Sequence, residues 1–136
     1  MKRLKTLVTI FLLCTLVSTF AFAQEIYVCV NVRGTTGLEN KVKDTLTGAF
    51  NSFSMVETTG DKEKCHLYVD ISMVEQQPIR FYALGISIAY HLNGHFYSRP
   101  TSDVAQFGEE RLQDVCRYLA GEIDKGFLEP LRERPE

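Results

Sequence analysis

Beyond its first 23 residues this 136-residue chain has no apolar run long enough to span a bilayer, which takes about 20 residues. It also has no excess of basic side chains. Lys and Arg number 15 against 17 Asp and Glu. Three of the basic residues, Lys2, Arg3 and Lys5, lie in the opening segment, which has no acidic one, so the remainder carries twelve against seventeen, a formal −5. Surfaces that grip phosphate or anionic lipid are basic, so nucleic-acid binding and anionic-lipid binding are not expected. Repeats, low-complexity tracts and interior linkers are missing, which leaves a single domain. No C-x-x-C occurs and no histidine stands near Cys29 or Cys116, so no zinc motif is present. His91 and His95 have H-x-x-x-H spacing, which serves zinc only on one helical face, and Asn93-Gly94 interrupts it. Gly34-Thr35-Thr36-Gly37 lacks the third glycine of a dinucleotide loop and the Gly-Lys-Ser/Thr of a phosphate loop, so it reads as a connecting turn. No cofactor and no metal are expected, and no catalytic motif stands out.

The opening segment itself reads as a secretory signal. A basic start is followed by a mostly apolar stretch from Leu7 to Phe20 and by Ala21-Phe22-Ala23, an A-x-A cleavage site. Residues 1–23 would be removed and the chain exported to the periplasm or secreted. The remaining 113 residues suffice for one core, burying roughly 65% of the unfolded surface. A single α+β domain is expected over 24–131, with a frayed tail at 132–136.

The organising stretch is Cys65 to Leu92. Cys65, Leu67, Val69, Ile71 and Met73 alternate with His66, Tyr68, Asp70 and Ser72, the period of two of a half-buried strand. Past Pro78 a second run sets Tyr82, Leu84, Ile86, Ile88, Tyr90 and Leu92 in one row, with Phe81, Ala83, Gly85, Ser87, Ala89 and His91 in the other. Asn93-Gly94 is the pair a two-residue hairpin favours, so His95 to Ser98 should fold back as a short strand. Upstream, Ile26, Val28, Val30 and Val32 form an aliphatic row opposite Tyr27, Cys29 and Asn31.

Thr36-x-x-Glu39 is a capping-box signature, and Leu38, Val42, Leu46, Ala49, Phe50 and Phe53 recur at helical spacing behind it. Ser54 to Thr59 is a short strand candidate; strand, helix and strand at this length favour a parallel crossover. A second helix is expected after caps at Thr101, Ser102 and Asp103, with Val104, Phe107, Leu112, Val115, Cys116, Leu119 and Ile123 inward and Gly126 as a left-handed stop. The expected fold is therefore α+β, a mainly antiparallel four- to five-stranded sheet in the order β-α-β-β-β-(β)-α, with both amphipathic helices on one face. This order behind a leader resembles small exported α/β modules such as the N-terminal domain of TolB, a likeness of fold that implies no function.

Three cysteines follow the leader, so one internal bridge at most is possible. Cys65 falls in an inward strand row and Cys116 on an inward helical stripe, which makes Cys65–Cys116 the expected pair; the alternative is two reduced, buried thiols. The sheet face away from the helices would display Tyr27, Cys29, Asn31, His66, Tyr68, Asp70, Phe81, Ala83, Ser87, Ala89 and His91, an aromatic and small-residue surface with few charges. The expected function is a small non-enzymatic exported module that meets a protein partner, or a second copy of itself, through that face. The alternative is a small-ligand or peptide binder with a pocket among Tyr68, Phe81 and His91. More remote is a thiol enzyme with Cys29 as nucleophile, His66 as base and Asp70 orienting it.

Overall fold

The computed structural model describes residues 24–92 and 95–133; the expected signal segment, the Asn93-Gly94 turn pair and residues 134–136 lie outside the described residues. Among the described residues five strands make one sheet in the order β2-β1-β3-β4-β5. They are β1 (Ile26–Arg33), β2 (Val56–Thr58), β3 (Leu67–Gln76), β4 (Phe81–Leu92) and β5 (His95–Phe107). Helix α1 (Glu39–Asn51) joins β1 to β2. After β5 come a 3-10 turn (Glu109–Arg111), helix α2 (Leu112–Ile123), a π turn (Asp124–Leu128) and the short α3 (Glu129–Arg132).

The sheet is mixed, which corrects the expected mainly antiparallel one. β1 pairs in parallel with β2 on one side, Val28 opposite Thr58, and with β3 on the other, Val28 opposite Leu67 and Arg33 opposite Ser72. Only β3–β4–β5 is antiparallel. The cause is the connector 59–66. Instead of reversing beside β2 it crosses β1, held where the Thr59 N–H donates to the Val28 carbonyl (3.0 Å) and the His66 N–H to the Tyr27 carbonyl (2.9 Å). β3 then starts on the far side of β1, running the same way.

Alternation decided the core. Val28, Leu67, Val69, Ile71, Leu84 and Ile88 are buried, with Met73, Tyr82 and Ile86 nearly so, while Val30 and Val32 pack at the margin. From the helices Val42, Leu46 and Phe50 of α1 and Leu112, Cys116, Leu119 and Ile123 of α2 complete one apolar cluster. Burying a side chain of this size contributes about 2 kcal/mol, and both helices spend their apolar stripes on the same sheet face.

At the start of α1 the Thr36 N–H donates to Glu39 Oε1 (2.6 Å) and the Gly37 N–H to Oε2 (2.9 Å), while Thr36 Oγ1 accepts from the Leu38 N–H (3.2 Å). These bonds, the Thr36 amide first, hold the Glu39 carboxyl below its ordinary range. Two N–H groups of the Gly34–Gly37 turn, those of Thr36 and Gly37, are thus turned onto the chain's own carboxylate.

The C-terminal half departs from expectation. β5 runs to Phe107, and the supposed caps Thr101, Ser102 and Asp103 lie within it, at a register shift opposite Leu84 and Ile86. The ladder between β4 and β5 thus continues from Leu92–His95 to Tyr82–Phe107, and the segment that carries these capping residues is spent on pairing. Phe107, expected on the helix, is a buried strand residue whose ring centroid is 6.1 Å from that of Tyr82. Gly126 is not left-handed and does not end the helix; the chain passes through the π turn into α3. There Arg132 Nη2 meets Asp124 Oδ1 at 2.8 Å and Nη1 donates to the Ser54 carbonyl at 3.3 Å, which ties this segment to the domain.

Candidate functional site

The disulfide joins Cys29 to Cys65, with Cα atoms 5.8 Å apart across 36 residues of sequence, and Cys116 is a free, buried thiol. The expected Cys65–Cys116 bridge is corrected by the course of the connector. Cys65 precedes β3 and is not yet bound to its alternation, so it turns toward the Cys29 side of β1. Cys116 remains a core side chain, its thiol pushed up to about 11 by burial.

The strand registers align the helix-free face in three rungs. Cys29, Tyr68, Ala89 and Ser98 form one; Asn31, Asp70, Ser87 and Pro100 the next; Arg33, Ser72 and Gly85 the third. Tyr27, His66 and His91 lie at the β1 start of this face, and Phe81 and Ala83 at the β3–β4 hairpin end. The residues expected on one face therefore share it, with one exception in accessibility. Cys29 is only 4% exposed, because connector residues 59–65 lie over it, with Sγ 3.6 Å from the Asp61 carbonyl oxygen. Lys62 extends beyond, its Nζ 6.0 Å from the Tyr68 ring centroid.

Two regions of the face remain open, one at each end. At the β1 start a concavity of about 470 Å³ is lined by Gln24, Glu25, Tyr27, Glu63, Lys64, Cys65, His66 and His91. Here the Tyr27 backbone N–H donates to His66 Nδ1 at 2.9 Å, and the two rings stack with centroids 5.7 Å apart. Burial first and the neighbouring His91 second keep the His66 imidazole below its ordinary range. The Tyr27 hydroxyl donates to Glu25 Oε2 (3.0 Å), and this bond raises its pKa. At the hairpin end, Val74 is 60%, Ile79 68% and Phe81 42% exposed, the first and last flanking the small Ala83 of the same face. Val74 and Ile79 were not among the expected face residues. Val74 continues the row of Asp70 and Ser72 and was legible from parity, whereas Ile79 stands in the turn, where parity has no meaning.

The arrangement required for a thiol enzyme is not assembled. Cys29 is oxidised, and the Asp70 carboxylate is engaged elsewhere, accepting from Asn31 Nδ2 (2.6 Å) and pairing with Arg33. The pocket expected among Tyr68, Phe81 and His91 is not formed either: Phe81 and His91 stand ten positions apart on one strand, about 33 Å. The observed concavity draws on His91 but otherwise on Tyr27, His66 and the connector. Among the described residues no group of three or more His, Cys, Asp and Glu is placed to hold a metal, and no helix is long and apolar enough to cross a membrane.

No protein-family model matches the chain, and no curated protein matches it. Among solved structures it is similar to TolB from Acinetobacter baumannii, with a TM-score of 0.57 and 6% identity over 75% of this chain and 28% of the TolB chain. The likeness is one of fold. This chain thus corresponds to little more than a quarter of TolB's length. Weaker similarities are to an uncharacterised protein (TM-score 0.48, 7% identity, 79% of this chain and 93% of the other) and to PelC of Paraburkholderia phytofirmans, crystallised as a dodecamer (TM-score 0.43, 8% identity, 75% and 87%).

Proposed function

We propose that this protein is an exported, non-enzymatic interaction module that meets a protein partner or a second copy of itself through the open part of the helix-free face, around Ser87, Ala83, Val74 and Phe81. Its compartment is the periplasm where the cell has two membranes. The observation that carries the reading is the company these residues keep. Val74 and Phe81 are exposed apolar side chains beside a row in which Gly85 and Ser87 are exposed and bear almost no side chain, a surface that invites close approach of another backbone. The Cys29–Cys65 disulfide agrees with an oxidising compartment. The test is light scattering and pull-down of the mature chain against Ser87→Glu and Val74→Glu. Loss of association with an unchanged circular dichroism spectrum supports the face; association undiminished in both variants refutes it.

A second reading, a small-ligand or peptide binder, draws on the concavity of about 470 Å³ at Tyr27, His66 and His91. A ligand held there at a hundred times its Kd stabilises the fold by about 2.7 kcal/mol, which a thermal-shift screen detects. Stabilisation that survives Val74→Glu and disappears in Tyr27→Ala would favour this reading over the first.

A further inference from the structure

The acceptor in the Tyr27–His66 hydrogen bond is a ring nitrogen, and this sets a condition that an ordinary strand contact does not have. A backbone N–H only donates, so at 2.9 Å Nδ1 must carry a lone pair and the imidazole must be neutral with its proton on Nε2. Protonation places a hydrogen on Nδ1 and turns the bond into two donors facing each other. The position of His66 gives the loss consequences. It directly follows the disulfide cysteine Cys65, its own N–H donates to the Tyr27 carbonyl, and its carbonyl accepts from the His91 N–H at 2.9 Å. It is thus the joint at which the connector, β1 and β4 meet.

We propose that His66 is a pH-sensitive latch, holding the start of β1 against the disulfide-anchored connector when neutral and releasing it when protonated. The charged and titratable groups around the ring set the balance. Glu25, just before β1, already accepts the Tyr27 hydroxyl, and Tyr27 itself comes from β1; from the connector come Glu63 and Lys64, and from β4 His91. The two carboxylates favour the imidazolium, while Lys64 and His91 oppose it. Burial and His91 place the folded ring below its ordinary value of 6.5. The unfolded chain therefore binds the proton first. The latch contributes fully above about pH 6.5 and its contribution is lost as the pH falls from there through the folded value.

Nitrogen NMR of the His66 ring and amide exchange of the whole mature chain test this together. Above pH 7 the ring should show the Nε2–H tautomer and the Tyr27 amide should exchange slowly. Through the His66 titration, exchange at Tyr27, corrected for its intrinsic pH dependence, should rise about tenfold, the effect of losing one ordinary hydrogen bond, with Val69 and Ile71 unchanged. His66→Phe keeps the ring stack without the acceptor and should exchange fast at Tyr27 at every pH. His91→Gln keeps the latch and removes a like-charged neighbour, so its transition should move to higher pH. An Nδ1–H tautomer in the neutral ring, or Tyr27 exchange that stays flat through the titration in the unsubstituted protein, overturns the proposal.

Discussion

The two halves of the sheet are covered differently. At the Cys29 level of β1 both faces are occupied: α1 and its apolar stripe lie on one side, and the connector 59–66, sewn down by Cys29–Cys65, lies on the other. Along the β3–β4 ribbon only the helix side is covered, and Ser72, Val74, Gly85 and Ser87 face outward. The strands of both halves alternate alike. What differs is the route between strands. A helical crossover and a connector that passes over the face bring cover with them, whereas hairpins return along an edge and leave the far face bare. Bareness here follows from topology, and that is why the open face lies on the antiparallel ribbon.

The strongest way to break this contrast is to release the connector. Cys29→Ala with Cys65→Ala should cost about 4 kcal/mol in urea unfolding, the chain-entropy value for a loop of 36 residues. It should also uncover the Tyr68 ring. A loss under about 1 kcal/mol would mean that backbone contacts alone hold the connector.

A smaller effect is expected at Gly34, where a Cβ would stand 2.7 Å from both the Met73 carbonyl oxygen and Glu39 Oε1. The carbonyl belongs to a central strand and has no room to move. Gly34→Ala should therefore cost about 1–3 kcal/mol by the same assay, and a neutral result would show that the β1–α1 turn shifts freely.

Acid sharpens the comparison from the same turn. Because its folded pKa is lowered, Glu39 contributes stability that is present above its ordinary value of 4.5 and is lost as the pH falls through the folded value. Denaturation midpoints between pH 6 and 3 should fall in the parent protein and fall less in Glu39→Gln. The smallest stability effect belongs to the bare face. Ser87→Glu removes no packing and sets one like charge opposite Asp70, so it should cost no more than about 1 kcal/mol while abolishing association.

Alternation made the core rows legible, and with them the face, because a period of two leaves no freedom once one row is greasy. Val28, Val69 and Leu84 needed nothing more. The Thr36–Glu39 contact was legible as well, although Glu39 gives its carboxylate to the turn amides. What the local pattern did not hold was the choice of partner. Cys65 looked inward by parity, yet it lies just before the strand that would have enforced that parity. Thr101, Ser102 and Asp103 looked like helix caps, but the pairing of β5 with β4 continues past them to Phe107. Gly126 looked like a stop, while the ion pair of Asp124 with Arg132 and the burial of Leu128 carry the helical segment onward. The concavity at His66 was invisible for the same reason: it is made by the connector's path, which no residue spacing encodes.

The most direct test of the interaction reading places a photo-crosslinking residue at Ser87 in one variant and at Gln113, on the exposed side of α2, in another. Both are expressed at native level in exporting cells and irradiated. The account predicts a discrete higher-mass adduct from position 87, to a partner or a second copy, and none from position 113. An adduct from position 113 with none from position 87 would contradict it.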